Sequence, residues 1–210
     1  MSRHHYQLRF RKEGDLCWIG HHDLSRAMER TFRRAALPLA MSRGFSPKPR
    51  LAFPSALGLG IAGWDEVCEA ELTEHVPSEE LHERLGRHAP PGLTITSAKE
   101  VAEQAEAAFA RAVEYELPIP AERRAGVQAA LERLLAQPEH WITREDQRGR
   151  CVDLRADILH LELAEGVLHI RLRVKRTATA RPREVLAALN LQDLERTQGP
   201  LARTKVELDD

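Results

Sequence analysis

Cysteine is scarce in this chain. Cys17, Cys68 and Cys151 stand far apart and form no C-x-x-C pair. That excludes a disulfide framework and any cysteine-ligated zinc or iron–sulfur centre built from this chain alone. Aromatic residues make up only 5% of the sequence, so Leu, Val, Ile and Ala must fill the core. Long apolar runs are missing too. The longest uncharged stretch, Leu51 to Trp64, has 14 residues and is broken by Pro54 and several glycines, too short and too interrupted to span a bilayer. The first residues carry no apolar segment of the kind a secretory signal needs. No P-loop, dinucleotide G-x-G-x-x-G, G-x-S-x-G or H-E-x-x-H motif occurs, which counts against several large enzyme classes. The expectation is a cytoplasmic protein with no cofactor and no membrane association.

What remains is a chain of 210 residues, 42% hydrophobic and 30% charged, enough for one large domain or two of about 100 residues each. Its net charge of −1 hides an uneven distribution. Residues 1–50 hold 11 Lys and Arg against 4 Asp and Glu, whereas residues 51–110 hold 3 against 11. A basic segment can form an electrostatic footprint for phosphates. The alternative is that the basic and acidic segments pair with each other in the fold.

Hydrophobic periodicity organises the chain into two similar halves. Tyr6, Leu8 and Phe10 alternate with Gln7, Arg9 and Arg11, the pattern of a half-buried strand. Gly14 and Asp15 mark a turn. Asp23 or Ser25 starts a helix reaching about Ala36, with Leu24, Met28, Phe32 and Ala35 at helical spacing. Short extended segments at Leu39–Ser42 and Arg50–Ser55 flank a loop. Strands follow at Val67–Thr73 and Leu93–Ala98, around a helix from Pro77 or Ser78 to about Pro90. Val101–Ala112, rich in Ala and Glu, reads as a helical linker. The second half has a strand at Val113–Ile119, a helix at Ala121–Gln137 and a short strand at Trp141–Thr143. An extended stretch at Cys151–Leu163 and a turn at Glu165-Gly166 lead to a strand at Val167–Val174. A helix opening at Arg181-Pro182 and a terminal strand ending at Leu208 complete it. The order β-α-β-β-α-β occurs twice, so the expected fold is α+β with two tandem ferredoxin-like modules, residues 1–108 and 109–210.

The densest polar cluster spans the first helix and the loop after it. His21, His22 and Asp23 stand at the helix start, Arg33 and Arg34 near its end. Arg43, Lys48 and Arg50 flank Gly44-Phe45-Ser46-Pro47. Gly44 permits an unusual backbone, and Pro47 and Pro49 hold Lys48 extended between them. An exposed Phe45 can stack on a base while the cations meet phosphates. The alternative is a buried Phe45 anchor with solvated cations. His21 and His22 invite metal binding, which fails on ligand count, or general acid–base work on RNA. Asp153, Arg155 and Asp157 alternate on an expected strand and share one face. Lys175, Arg176, Thr177, Thr179, Arg181 and Arg183 form a second basic stretch before a helix start, where an anion can bind.

Several strings point to a known family. They are Tyr6-x-Leu8-x-Phe10-x-Lys12-x-Gly14, His22-Asp23-Leu24, Arg34-Ala35-Ala36-Leu37-Pro38-Leu39 and Ser42-Arg43-Gly44-Phe45-Ser46-Pro47-Lys48-Pro49. In the second half they are Asp153-Leu154-Arg155, Ala180-Arg181-Pro182-x-Glu184-Val185-Leu186 and Arg203-Thr204-Lys205. Together they resemble the radical-SAM-associated domain family of unknown function, over nearly the whole chain. Gly-Phe-Ser-Pro-Lys-Pro is the most specific string. The resemblance implies a radical SAM enzyme as partner, since members occur free-standing or fused behind a cobalamin-binding radical SAM enzyme. Two positions depart from the family pattern. Gly20 stands where a serine is common, so that position supplies no hydroxyl, and Ala156 stands where proline is common. The element order is also similar to that of CRISPR repeat-processing endoribonucleases, a likeness of fold only.

Three functional readings follow. The first is a non-catalytic accessory module that recognises RNA, or an RNA-linked substrate, through Arg9, Lys12, His22, Asp23, Arg34, Arg43, Gly44, Phe45, Lys48 and Arg50. The second is a metal-independent endoribonuclease using His21 or His22. The third is a protein–protein adaptor for a radical SAM enzyme, docking through the acidic stretch Asp65 to Glu83.

Overall fold

The computed structural model describes residues 3–102, 108–144, 149, 151–194 and 201–209, as a mixed α+β chain. It divides into two units, Met1–Phe109 with Leu208–Asp210, and Ala110–Glu207.

In the first unit the strands are β1 (His4–Lys12), β2 (Leu51–Ala52), β3 (Ala62–Leu72) and β4 (Leu93–Val101), and the helices are α1 (His21–Arg34) and α2 (Ser78–His88). β1 lies between β4 and β3, antiparallel to both, and β2 adds antiparallel to β3. Both β1 and β2 therefore run opposite to β3 and parallel to each other, and α1 is the crossover that such a pair needs. The same holds for β3 and β4, with α2 between them. Period-two alternation sends Tyr6, Leu8 and Phe10 into the core, where they meet Leu24, Met28 and Phe32 of α1 and Leu81 and Leu85 of α2. Each of these side chains is almost fully buried and contributes about 1.5–3 kcal/mol on leaving water. The Tyr6 hydroxyl donates to the Val76 carbonyl (2.8 Å) and accepts from its N–H (2.9 Å), tying the turn before α2 to the core. Burial is the main force pushing its ionisation above the ordinary tyrosine value.

Several local expectations are corrected. The first helix starts at His21, capped by the extended backbone of Gly20 with no side-chain cap, rather than at Asp23 or Ser25. The turn expected at Gly14 and Asp15 is present and continues as a 3-10 turn to Trp18. Leu39–Ser42 is no strand: only single bridges join Leu39 to Leu72 and Met41 to Pro49. The extended stretch from Arg50 shortens to the two residues of β2, since Pro49 and Pro54 cannot donate to a ladder. Neither end of the expected linker helix is helical. β4 runs to Val101, the next strand begins at Ala110, and residues 103–107 lie outside the described residues.

The second unit has strands β5 (Ala110–Pro118), β6 (Trp141–Thr143), β7 (Cys151–Asp153), β8 (Ile158–Ala164), β9 (Val167–Arg173) and β10 (Ala202–Leu208). Its helices are α3 (Arg124–Ala136), α4 (Leu154–Asp157) and α5 (Pro182–Ala188). β5 lies between β10 and β9, β8 pairs with β9, and β6 and β7 form a separate antiparallel pair. The β8–β9 hairpin turns at Glu165-Gly166, both at positive φ, which matches the twist of the flanking strands. Pro182 opens α5, and the Glu184 carboxylate accepts the Arg181 N–H (2.7 Å).

Asp153, Arg155 and Asp157 do not share a strand face. α4 interrupts the expected strand, because the Asp153 carboxylate accepts from the Arg155 N–H (3.0 Å) and bends the chain locally. Asp157 is fully buried, accepts the Ala180 N–H (2.8 Å) and pairs with Lys175. No helix is long and apolar enough to cross a membrane among the described residues.

Candidate functional site

The loop between α1 and β2 is held shut at its base. The Ser42 N–H donates to the Lys48 carbonyl (2.8 Å), and the Lys48 N–H donates to the Ser42 Oγ (2.9 Å). One step below, Met41 bridges Pro49, and the Arg50 N–H donates to the Ala40 carbonyl (2.8 Å). The Arg50 carbonyl accepts from the Glu71 N–H (3.0 Å), which fastens the base of the loop to β3. At the tip, Gly44 has φ +128°, a conformation that side-chain-bearing residues rarely adopt. Phe45 beside it is wholly exposed, with a relative accessibility of 113%. Buried packing does not explain this phenylalanine, so the anchor alternative is excluded.

Not every cation assigned to the face is available there. Arg43 and Lys48 are exposed and have no ion-pair partner among the described residues, and the same holds for Arg33 and Arg34 at the end of α1 that leads to the loop. Arg50 is exposed but stands 3.8 Å from Glu71. Arg9 is half-buried and paired with Asp65. Lys12 is fully buried and donates to the carbonyls of Ile19 (2.9 Å) and Cys17 (3.3 Å), so it stitches the 3-10 turn and meets no ligand at the surface.

His21, His22 and Asp23 belong to a different place. His21 packs edge-on against Phe53, with ring centroids 5.2 Å apart. His22 and Asp23 are exposed, and Asp23 lies 3.7 Å from Arg26. Phe53 directly follows β2, so His21 meets the strand that leaves the loop rather than the loop itself. Among the described residues no group of three His, Cys, Asp or Glu is placed to hold a metal ion.

The acidic stretch is largely consumed inside its own unit. Asp65 pairs with Arg9, Glu71 with Arg3 (2.7 Å), Glu80 with Arg84 (3.0 Å) and Glu83 with Arg87. The Glu69 carboxylate accepts the Ala108 N–H (3.1 and 3.2 Å), and Glu66 is buried. In the second basic stretch Lys175 goes to Asp157, and Arg144, from outside that stretch, holds Glu184 (2.7 and 2.9 Å) at the start of α5.

At the foot of the loop lies a groove of about 370 Å³, lined by Pro49, Arg50 and Leu51 and by His5 of β1 and Glu69 and Glu71 of β3. Sequence patterning missed it, because its walls come from strands distant in sequence. Alternation does carry a trace, since His5 stands opposite Glu71 in the β1–β3 register.

The chain belongs to the bacterial family DUF2344. That family, described as an uncharacterized protein conserved in bacteria, matches residues 5–186 and so includes the loop, the groove, α1 and the start of α5. No curated protein matches the sequence.

Proposed function

We propose that this DUF2344 protein is a non-catalytic RNA-binding accessory protein, built from two ferredoxin-like modules, and that its first module engages RNA through the loop of residues 42–48. The observation that carries this reading is Phe45, wholly exposed on a loop closed by hydrogen bonds, between two cations with no ion-pair partner among the described residues. An exposed ring on a stiff support gains nothing from core packing. It loses little entropy when a base stacks on it, and such stacking contributes about 1–3 kcal/mol per base. Arg43 and Lys48 then supply the salt-dependent attraction to phosphates.

The strand orders support the ferredoxin-like reading. β4-β1-β3-β2 in the first unit and β10-β5-β9-β8 in the second place corresponding strands in the same sequence. A radical SAM enzyme as the recipient of the bound RNA, or of a substrate linked to it, rests on the sequence resemblance alone. Binding is favoured over cleavage because the loop from Ser42 to Lys48 carries no histidine or carboxylate to move a proton, and His21 packs against Phe53.

The test is a salt series of binding to structured and single-stranded RNA pools, for wild type and Lys48→Ala. The expected result is affinity that falls steeply with salt, with a log–log slope shallower by roughly 0.7–0.9 in the variant for one lost phosphate contact. Absence of binding at low salt, or affinity indifferent to salt, overturns the proposal.

A further inference from the structure

We infer that the groove at the foot of the loop is a base-reading pocket that selects guanine in single-stranded RNA. The inference rests on the RNA-binding reading above and specifies its substrate.

The groove is placed for this task. Pro49 and Arg50 both line it and close the base of the loop, so the groove adjoins the support that carries Phe45. Its volume of about 370 Å³ is at the low end of the roughly 300–1,000 Å³ of small-ligand sites, which suits one nucleotide rather than several. Unlike the loop, its lining holds two carboxylates, Glu69 and Glu71, against the single cation Arg50. Glu71 faces Arg3 at 2.7 Å and Arg50 at 3.8 Å, and Glu69 holds the Ala108 N–H. Such a pocket offers a phosphate little, so the phosphates belong to Arg43 and Lys48 and the base to the groove.

The choice of base follows from donors and acceptors. An ionised carboxylate only accepts, and its two oxygens have about four lone-pair sites. The 3.8 Å between Arg50 Nη1 and Glu71 Oε1 is an ion pair but no hydrogen bond, which leaves capacity on that oxygen. Guanine is the base whose Watson–Crick edge presents two adjacent donors, N1–H and the N2 amino group, next to an acceptor, O6. Glu71 beside Arg50 presents the complement: a carboxylate for the two donors and a guanidinium for O6. Adenine and cytosine each offer one donor group on that edge, and uracil offers a single N–H between two acceptors. Unpaired RNA bases are commonly read along this edge.

The experiment measures binding of the full chain to uridine-rich single-stranded oligonucleotides with one central G, A, C or inosine. It uses wild type, Lys48→Ala, Glu71→Gln and Arg50→Ala, with folding checked by circular dichroism. Wild type is expected to prefer G over A by about tenfold, within the range for one bidentate base contact. Inosine, which lacks the N2 amino group, loses most of that preference. Glu71→Gln and Arg50→Ala each reduce the G-to-A ratio, and Arg50→Ala leaves the Arg3–Glu71 pair in place if Glu71→Gln disturbs the fold. Lys48→Ala lowers affinity for every oligonucleotide alike. Equal affinity for all bases with Lys48-dependent binding overturns the guanine assignment and leaves the RNA reading standing. A G preference unchanged in both groove variants overturns the assignment to this groove. Absence of binding to any oligonucleotide overturns both.

Discussion

Two lysines of the basic N-terminal segment look alike in sequence, yet their substitution should have opposite consequences. Lys12→Met keeps most of the buried volume and removes the charge and its donors. The Ile19 carbonyl loses its 2.9 Å partner, whereas the Cys17 carbonyl keeps the Gly60 N–H at 2.8 Å after losing the longer 3.3 Å bond. A hydrogen bond from a charged donor is worth about 1.5–3 kcal/mol, and an acceptor left buried without a partner costs about 1–3 kcal/mol. Because one of the two carbonyls remains satisfied, these two contacts alone account for a loss of about 2–3 kcal/mol. In a chain of this size that lowers the melting temperature by roughly 4–12 °C. Lys48→Ala, at an exposed position, should stay within about 0.5 kcal/mol of wild type. Urea titrations of both variants, followed by circular dichroism, measure the difference. A Lys12→Met protein as stable as Lys48→Ala would refute the assignment of Lys12 to the interior.

Two further outcomes follow from close contacts and charge. A Cβ at Gly92, which has φ +84°, would stand 2.4 Å from the Glu13 carbonyl oxygen, so Gly92→Ala should cost at least about 1–3 kcal/mol in a thermal melt. The Arg171 guanidinium, hydrogen-bonded to Glu207 at 2.7 Å, holds that carboxyl at about 2, below its ordinary 4.5. Its contribution to stability is therefore complete above pH 4.5 and is lost as the pH falls toward 2. Melting temperatures across that window should fall less steeply in Glu207→Gln than in wild type, and equal slopes would contradict the pairing.

The elements most legible in the sequence are those whose apolar period is sustained. Tyr6, Leu8 and Phe10 show one face of β1, and Leu24, Met28, Phe32 and Ala35 show one face of α1; all seven are buried. The same alternation held a clue to Lys12, which continues the inward set at even positions, but its charge suggested the surface. Short features were hidden for physical reasons. The four residues of α4 are too few to display a helical period, and the Asp153 carboxylate that bends the chain there can equally serve a strand face or a turn. The start of α1 was hidden because Gly20 caps it with backbone alone, while Asp23 and Ser25 are the residue types that usually cap. In the candidate site, composition indicated the cations and the stiff loop. Whether Phe45 faces solvent or core depends on a packing environment that local sequence does not encode. Likewise, the pairing of Asp65 and Glu71 with Arg9, Arg3 and Arg50 depends on strand register.

The claim that the 42–48 loop is an RNA platform is tested most directly at Phe45. Phe45→Ala removes a wholly exposed ring, so the fold should be unaffected within about 0.5 kcal/mol. Titrated with a labelled single-stranded RNA, the variant should bind about tenfold more weakly than wild type, within the range for one lost base stack, with an unchanged salt slope because no phosphate contact is removed. A Phe45→Ala protein that is folded and binds the same RNA as tightly as wild type would contradict the account.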